Sequence, residues 1–221
     1  MKKALIALII LASITLNVTA AIGDWKIYMS YSEPQQIQET GNYLFVQASN
    51  SLYLYNKNDQ SIQTFDKTTG MSDVVVTNIS WNQKAKRLVV VYDNSNIDLI
   101  DLQGNVTNVP DLYNKSMTED KTVNSIINND KYAYIATNFG GIKLNVASGE
   151  VYESYLLGQS IKRFAVSGST IYALNTQNKA ISASMSTNLQ DKANWESTPS
   201  YPDGIFNVDN SAYTNNIELV K

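Results

Sequence analysis

The sequence predicts an all-β fold built from repeated antiparallel units. Three observations support this prediction: a strand–turn–strand pattern recurs, polar turn residues separate the strands, and no long stripe of helical period follows residue 20. The 221 residues are 43% hydrophobic and 17% charged, which is typical of a globular protein. Because the chain has no cysteine, its core alone must stabilise the fold.

The N-terminus has the features of an export signal. Lys2 and Lys3 precede the apolar run 4–16, and small side chains follow at 18–20. This run is shorter than the about 20 residues that a membrane-spanning helix needs. We therefore interpret residues 1–20 as a signal peptide, with an uncleaved anchor as the alternative. We expect the protein in the periplasm or at the outer-membrane cell surface.

The repeated unit is a pair of strands joined by a polar turn. The second strands begin with the pattern aliphatic-x-aliphatic and are anchored at Leu52, Ile97, Ile142 and Ile181. The first strands are anchored at Leu44, Leu88, Ala133 and Ile171. Both sets recur at intervals of 38 to 45 residues. Two positions that keep the same period indicate a true structural repeat.

Each pair has room for one more strand on either side, which gives four strands in about 45 residues, the pattern of a β-propeller blade. We predict about four four-stranded antiparallel blades within residues 21–200, at about 32–73, 74–121, 122–159 and 160–200. Residues 201–221 are expected to be an irregular tail or the start of a further blade. A β-sandwich or a solenoid is the alternative, but neither explains the repeated spacing.

The composition excludes most common catalytic sites. Without histidine or cysteine there can be no Ser-His-Asp relay, no thiol nucleophile and no zinc site with His or Cys ligands. The acidic pair Glu119 and Asp120 is interpreted as a solvated loop. Without residues 1–20 the chain carries 15 Lys and Arg against 20 Asp and Glu, which disfavours nucleic-acid binding. We expect no catalytic residue, no cofactor and no metal.

Four cations are candidates for contacts with an anionic glycan. They are Lys115, Lys121, Lys162 and Arg163, which lie in or next to the predicted connections between blades. An arginine can bind a phosphate through two parallel hydrogen bonds. Ordinary surface charge is the alternative interpretation of all four residues.

Four tyrosines in predicted strands could either stack on sugars or pack between blades. We interpret them as packing between blades, because large aromatic side chains in strands usually fill cores. They are Tyr43, Tyr132, Tyr134 and Tyr172.

The segment 68–73 has the composition of a turn that opens a blade. Gly70 permits a chain reversal, and Ser72 or Asp73 can bond to local backbone N–H groups. The segment resembles the Gly-Leu-Ser-Asp loop of regulator-type propellers. Further segments extend a longer resemblance. They are Trp25–Tyr28, Leu88–Tyr92, Asn96–Leu99, Asn108–Tyr113, Met117–Asn124, Tyr132–Tyr134 and Phe139–Ile142.

Over roughly residues 22 to 200, these segments together resemble the N-terminal propeller of PorZ-type proteins, accessory components of the type IX secretion system in Bacteroidota. That resemblance implies two seven-bladed propellers followed by a β-sandwich. This chain would then be an incomplete part of a seven-bladed ring, either a fragment of a longer protein or a truncated gene product. A closed four-bladed ring is the alternative.

The resemblance also implies a non-enzymatic role at the cell surface. The expected partners are outer-membrane or surface proteins of the secretion apparatus, including a sortase-like protein, and anionic lipopolysaccharide. A periplasmic glycan-sensing propeller, like the input domain of hybrid two-component regulators, is the alternative function. A propeller lyase or glycosidase is a third hypothesis, for which the sequence offers no distinctive set of carboxylates, tyrosines and arginines.

Overall fold

The computed structural model describes residues 30–206. The predicted signal peptide 1–20 and the last part of the predicted tail, 207–221, lie outside the described residues. The described part contains four four-stranded antiparallel sheets, so the all-β prediction of about four blades is confirmed. Helix is scarce, as predicted, and no helix in this part is long and apolar enough to cross a membrane.

Each blade is a meander in which consecutive strands pair. Blade 1 consists of β1 (Pro34–Thr40), β2 (Tyr43–Ala48), β3 (Ser51–Asn56) and β4 (Ile62–Phe65). Blade 2 consists of β5 (Val76–Asn82), β6 (Arg87–Tyr92), β7 (Ile97–Ile100) and β8 (Val106–Val109). Blade 3 consists of β9 (Val123–Asn129), β10 (Tyr132–Thr137), β11 (Gly140–Asn145) and β12 (Glu150–Leu156). Blade 4 consists of β13 (Ile161–Ser167), β14 (Thr170–Asn175), β15 (Ala180–Ser184) and β16 (Glu196–Ser197).

Short helical segments occur only in connections of the described chain. A four-residue α-helix, α1 (Asp111–Asn114), follows β8, and 3-10 turns span Lys67–Thr69 and Lys192–Asn194. The last 3-10 turn leads into Trp195, which is buried against blade 3.

Each pair of neighbouring blades encloses one hydrophobic core. In the core between blades 1 and 2, the rings of Phe45 and Trp81 stack with centroids 5.6 Å apart. Strand β6 contributes to two cores, because Val90 faces blade 1 whereas Val89 faces blade 3. Its continuous apolar sequence therefore follows from burial on both faces of the sheet.

The first strands of the four blades run side by side. A first strand has one backbone edge without a neighbouring strand, and its N–H and C=O groups need other partners. Side chains from the adjacent blade provide them. The Gln36 side chain accepts from the Ile79 N–H at 2.9 Å and donates to the Thr77 carbonyl at 3.0 Å. Gln38 accepts from the Trp81 N–H at 2.9 Å.

We call the interface between two neighbouring blades a seam. The other two seams use the same kind of hydrogen bond from a side-chain amide. Between blades 2 and 3, Asn128 Nδ2 donates to the Trp81 carbonyl at 3.1 Å. Between blades 3 and 4, Asn124 Nδ2 donates to the Ile161 carbonyl at 2.8 Å. Short amide side chains in the first strands therefore connect consecutive blades around the inner edge of the structure.

Blades 1 and 4 have no such connection in the described chain. No buried cluster between residues 30 and 206 contains residues of both blades. Ile62 lies on the face of blade 1 that is turned away from blade 2, and it is 62% exposed. The four blades therefore form an open arc, and the alternative of a closed four-bladed ring is wrong for this part of the chain. The seven-bladed ring stays a prediction.

Three of the four singled-out tyrosines pack between blades, as expected. Tyr134 is buried in the core between blades 3 and 4, and Tyr43 and Tyr132 pack against cores. Tyr172 differs, because its neighbours Ile171 and Ala173 both face blade 3. Adjacent strand residues point to opposite faces, so Tyr172 lies on the free face of blade 4.

Gly141 allows blade 4 to approach blade 3. A Cβ at this position would lie 2.6 Å from the Ile135 carbonyl oxygen and against the ring of Phe164.

We predict that Gly141→Ala lowers the free energy of unfolding by about 1–3 kcal/mol, because it overpacks this seam. Urea denaturation measures the change. Gly168→Asn is the control, since Gly168 has a left-handed φ of 59° that Asn tolerates and open space around it. Equal losses in both variants would contradict the prediction.

Candidate functional site

The loop between blades 1 and 2 is built around Asp66. Its carboxylate accepts from the N–H groups of Thr68 (2.7 Å) and Thr69 (3.2 Å) and so caps the 3-10 turn. Gly70 ends this turn with a left-handed φ of 104°. The reversal then directs the Met71 side chain into the core between blades 1 and 2.

Ser72 connects this loop to a buried carboxylate in blade 2. The Ser72 N–H and Oγ donate to the two oxygens of Asp98 at 2.8 and 2.7 Å. The Tyr92 hydroxyl (2.5 Å) and Asn108 Nδ2 (2.9 Å) donate to the same carboxylate. Asp98 is completely buried, and four donors compensate for its lost hydration. Burial, followed by the contact with Asp98, raises the pKa of the Tyr92 hydroxyl far above its ordinary value.

Asp73 forms a second link within blade 2. Its carboxylate accepts from the next N–H, that of Val74, at 2.9 Å, and from Asn94 in the β6–β7 turn. Blade 3 repeats the link with Asp120, which accepts from Asn138 in the β10–β11 turn at 2.5 Å. Hydrogen bonds from Thr122 and then Asn138 lower the pKa of Asp120. The carboxylates of these loops therefore hold hairpin turns in place.

A cleft of about 500 Å³ opens between blades 2 and 3, beside α1. Lys115 lies at its wall and donates from Nζ to Ser154 Oγ at 3.2 Å. Asp111, Asn114 and the apolar side chain of Val151 also line the cleft. The cleft therefore combines a cation, a carboxylate and uncharged polar groups.

The four candidate cations lie in two places. Lys115 and Lys121 belong to the connection between blades 2 and 3, whereas Lys162 and Arg163 lie on β13. Lys121 Nζ donates to the carbonyl of Lys115 at 2.9 Å and also to that of Tyr113. Arg163 Nη1 donates to the Phe206 carbonyl at 2.6 Å. Two of the four cations thus bind backbone carbonyls of the protein itself.

Sequence analysis missed two charged residues that the seams contain. Asp98 occupies the x of an aliphatic-x-aliphatic strand, and every residue of β7 is buried. Lys143 is in the same kind of position, with Nζ 4.6 Å from the Tyr132 ring centroid and 3.5 Å from Glu153 Oε1. The signal for both was a charge in a strand with apolar neighbours on each side.

The acidic side chains between positions 30 and 206 do not gather into a metal-binding cluster. No group of three His, Cys, Asp or Glu residues between positions 30 and 206 could hold a metal ion. Asp98, Asp120 and Glu153 all accept hydrogen bonds from neighbouring protein groups. The fold and this arrangement define the class of protein: a β-propeller segment whose blades are connected by side-chain hydrogen bonds.

Comparison with known proteins identifies the family. The family model of the N-terminal beta-propeller domain of PorZ (TSS9, PorZ) matches residues 44–196, which is more than half of the chain. The chain therefore belongs to the PorZ N-terminal beta-propeller domain family. No curated protein matches the sequence.

Solved structures agree with this assignment. PorZ of Porphyromonas gingivalis, described as an essential bacterial surface component of the type-IX secretion system, is 29% identical with a TM-score of 0.74. The alignment covers 80% of this chain but 24% of that one, so the chain spans about a quarter of the solved PorZ.

Two further structures share the fold alone. The extracellular domain of a putative one component system from B. thetaiotaomicron is 18% identical with a TM-score of 0.56, covering 80% of this chain and 25% of that one. AztD from Citrobacter koseri is 14% identical with a TM-score of 0.57, covering 76% and 48%.

The hydrogen bond from Ser72 Oγ to Asp98 should contribute measurably to stability. We expect Ser72→Ala to lower the free energy of unfolding by about 1.5–3 kcal/mol, because it removes a donor from a buried charged group. Ser61→Ala is the matched control, since Ser61 Oγ donates to the carboxylate of Asp59 at 2.7 Å in an exposed turn. The control should change stability by less than about 0.5 kcal/mol. Denaturant titration that gave the same loss for both would refute a special role for Ser72.

Buried tyrosines should make the fold sensitive to alkali. Burial raises the pKa of Tyr134 to about 12, above the value of about 10 for an unfolded tyrosine. The stability that depends on neutral Tyr134 is therefore complete below about pH 10 and is lost as the pH rises towards about 12. We expect the free energy of unfolding of Tyr134→Phe to decline less steeply above pH 10 than that of the wild type. Parallel pH profiles would contradict this expectation.

Proposed function

We propose that the chain is a non-catalytic, exported interaction module of the type IX secretion attachment machinery. The single observation that carries the proposal is the family match over residues 44–196, supported by the 29% identity to PorZ of P. gingivalis. The N-terminal segment 1–20 supports export, and the proposed location is the periplasm or the outer-membrane cell surface. The proposed protein partners are outer-membrane or surface components of that apparatus.

The proposed second ligand is anionic lipopolysaccharide, bound at the cleft between blades 2 and 3. Lys115 supplies the positive charge there and forms no salt bridge within residues 30–206. Tyr113 on α1 is 49% exposed and can stack against a sugar ring. Asn114 offers amide groups to hydroxyls. Lys162 is exposed on β13 and is a second candidate contact, whereas Lys121 and Arg163 are engaged with carbonyls.

A glycan-sensing propeller is the alternative function. The similarity to the extracellular domain from B. thetaiotaomicron favours it, but at 18% identity this similarity concerns the fold alone. A sensor would bind a neutral or acidic glycan without contacting the secretion apparatus, so partner capture separates the two functions.

Affinity capture of the tagged, full-length protein from cross-linked envelopes of its own bacterium tests the first proposal. We expect outer-membrane components of the type IX apparatus to be recovered, at levels that a tagged, unrelated exported protein does not reach. Recovery of neither an outer-membrane nor a sortase-like component would overturn the assignment to the attachment machinery.

Lys115 should control binding of the anionic glycan. We expect Lys115→Glu to weaken binding of purified anionic lipopolysaccharide at least about tenfold, because it replaces attraction by repulsion at the cleft. Lys84→Glu makes the same charge change in the exposed turn between β5 and β6 and should bind like the wild type. Surface plasmon resonance compares the two. Equal weakening would show that net charge, rather than the cleft, determines binding.

A further inference from the structure

A lysine ammonium lies between two tyrosine rings in the outer half of blade 3. Lys143 Nζ is 4.6 Å from the ring centroid of Tyr132 and 4.9 Å from that of Tyr152. The two ring centroids are 5.8 Å apart. The attraction between a cation and the faces of aromatic rings favours one orientation of both rings. We call Tyr132, Lys143 and Tyr152 the tyrosine platform.

A β-bulge in β12 directs Tyr152 to this platform. The pairing of β11 with β12 skips Tyr152, which lies between Val151 and Glu153. A bulge can re-aim a side chain to the other face of a sheet. Val151 lines the cleft between blades 2 and 3, whereas Tyr132 packs against the core between blades 3 and 4. The tyrosine platform and the cleft therefore lie on opposite faces of blade 3.

The ring of Tyr152 is both exposed and held in place. Tyr152 is 61% exposed, which is more than any other aromatic residue between positions 30 and 206. The Lys143 ammonium lies over one face of the ring, so the exposed area includes the other face. A group that is already fixed loses little conformational entropy when a ligand binds to it. The exposed face of Tyr152 is therefore suited to stack against a ligand with an apolar face.

The turn between β9 and β10 adds polar groups at the edge of the platform. Lys131 Nζ lies 5.4 Å from the ring centroid of Tyr132, and both Lys131 and the preceding Asp130 are exposed. Asn82 Nδ2 donates to the Asp130 carbonyl at 3.0 Å and holds the turn against blade 2. The Lys131 ammonium can donate hydrogen bonds, and the Asp130 carboxylate can accept them. Hydroxyl groups need both kinds of partner, because they donate and accept.

The charges around the platform balance one another. The ammonium of Lys143, whose side chain is 14% exposed, lies 3.5 Å from Glu153 Oε1. Lys131 and Asp130 carry opposite charges in the same turn. A ligand at the platform therefore meets no excess of positive charge, which favours an uncharged ligand over an acidic one.

We propose that the tyrosine platform binds a neutral sugar ring. The apolar face of the sugar stacks on Tyr152, and its hydroxyl groups bind Asp130 and Lys131. Sites for small ligands commonly combine aromatic surface with a few placed polar groups in this way. The proposal does not depend on the proposed function, because the platform and the cleft lie on opposite faces of blade 3 and take ligands of different charge.

Saturation-transfer difference NMR of the full chain with defined trisaccharides tests the proposal. The neutral probes are maltotriose, cellotriose, mannotriose and triacetylchitotriose, and trigalacturonic acid is the acidic comparison. We expect at least one neutral trisaccharide to bind at least about tenfold more tightly than the acidic one. Binding of none of the neutral probes, or equal or tighter binding of trigalacturonic acid, would overturn the proposal.

Substitutions of exposed tyrosines locate the site. We expect Tyr152→Ala to weaken binding of that neutral trisaccharide at least about tenfold, and Tyr152→Phe, which keeps the ring, to bind within about twofold of the wild type. Tyr201→Ala is the matched control, since Tyr201 is exposed and also packs against an aromatic ring, that of Phe206, at 4.9 Å. This control should bind like the wild type. The same loss in Tyr152→Ala and Tyr201→Ala, or in Tyr152→Ala and Tyr152→Phe, would contradict stacking on Tyr152.

Discussion

The unpaired edge of each first strand is the constraint on which the arrangement of the blades depends. A four-stranded meander leaves N–H and C=O groups along that edge, and they lose water when the blades come together. Gln36, Gln38, Asn124 and Asn128 replace the missing strand with side-chain amides. Each amide belongs to the neighbouring blade. The same hydrogen bonds therefore supply partners for the backbone groups and fix the positions of the blades.

The cores follow from this arrangement. Because the inner edges are held by neighbouring blades, both faces of blades 2 and 3 are covered. Apolar residues therefore occupy successive positions of β6 rather than alternate ones. Charges in such strands need partners within the protein. Asp98 receives four donors, and Lys143 lies among tyrosine rings and beside Glu153. Asp98 and Lys143 are therefore engaged with neighbouring protein groups, whereas Lys115 lies at the wall of the cleft between blades 2 and 3.

The sequence predicted the blades because their strand pairs are local and recur with one period. It did not predict the hydrogen bonds between blades. Gln36 and Ile79 are 43 positions apart, and the residue type of an amide in a strand does not show which group it binds. Nor did it predict the burial of Asp98, because a charge between two aliphatic residues does not show that both faces of β7 are covered. The charge of Arg163 suggested a ligand contact, but the backbone register, which composition does not encode, places it against Phe206.

Family membership connects this architecture to a secretion system, and the side-chain amides explain how blades of low mutual similarity can still assemble. The most direct test of this account is the amide exchange of Trp81, whose N–H is on the edge of β5 and donates to Gln38. The account predicts a protected amide that loses protection in Gln38→Ala and keeps it in Gln63→Ala, on the outer strand β4. Rapid exchange of the Trp81 amide in the wild type would contradict it.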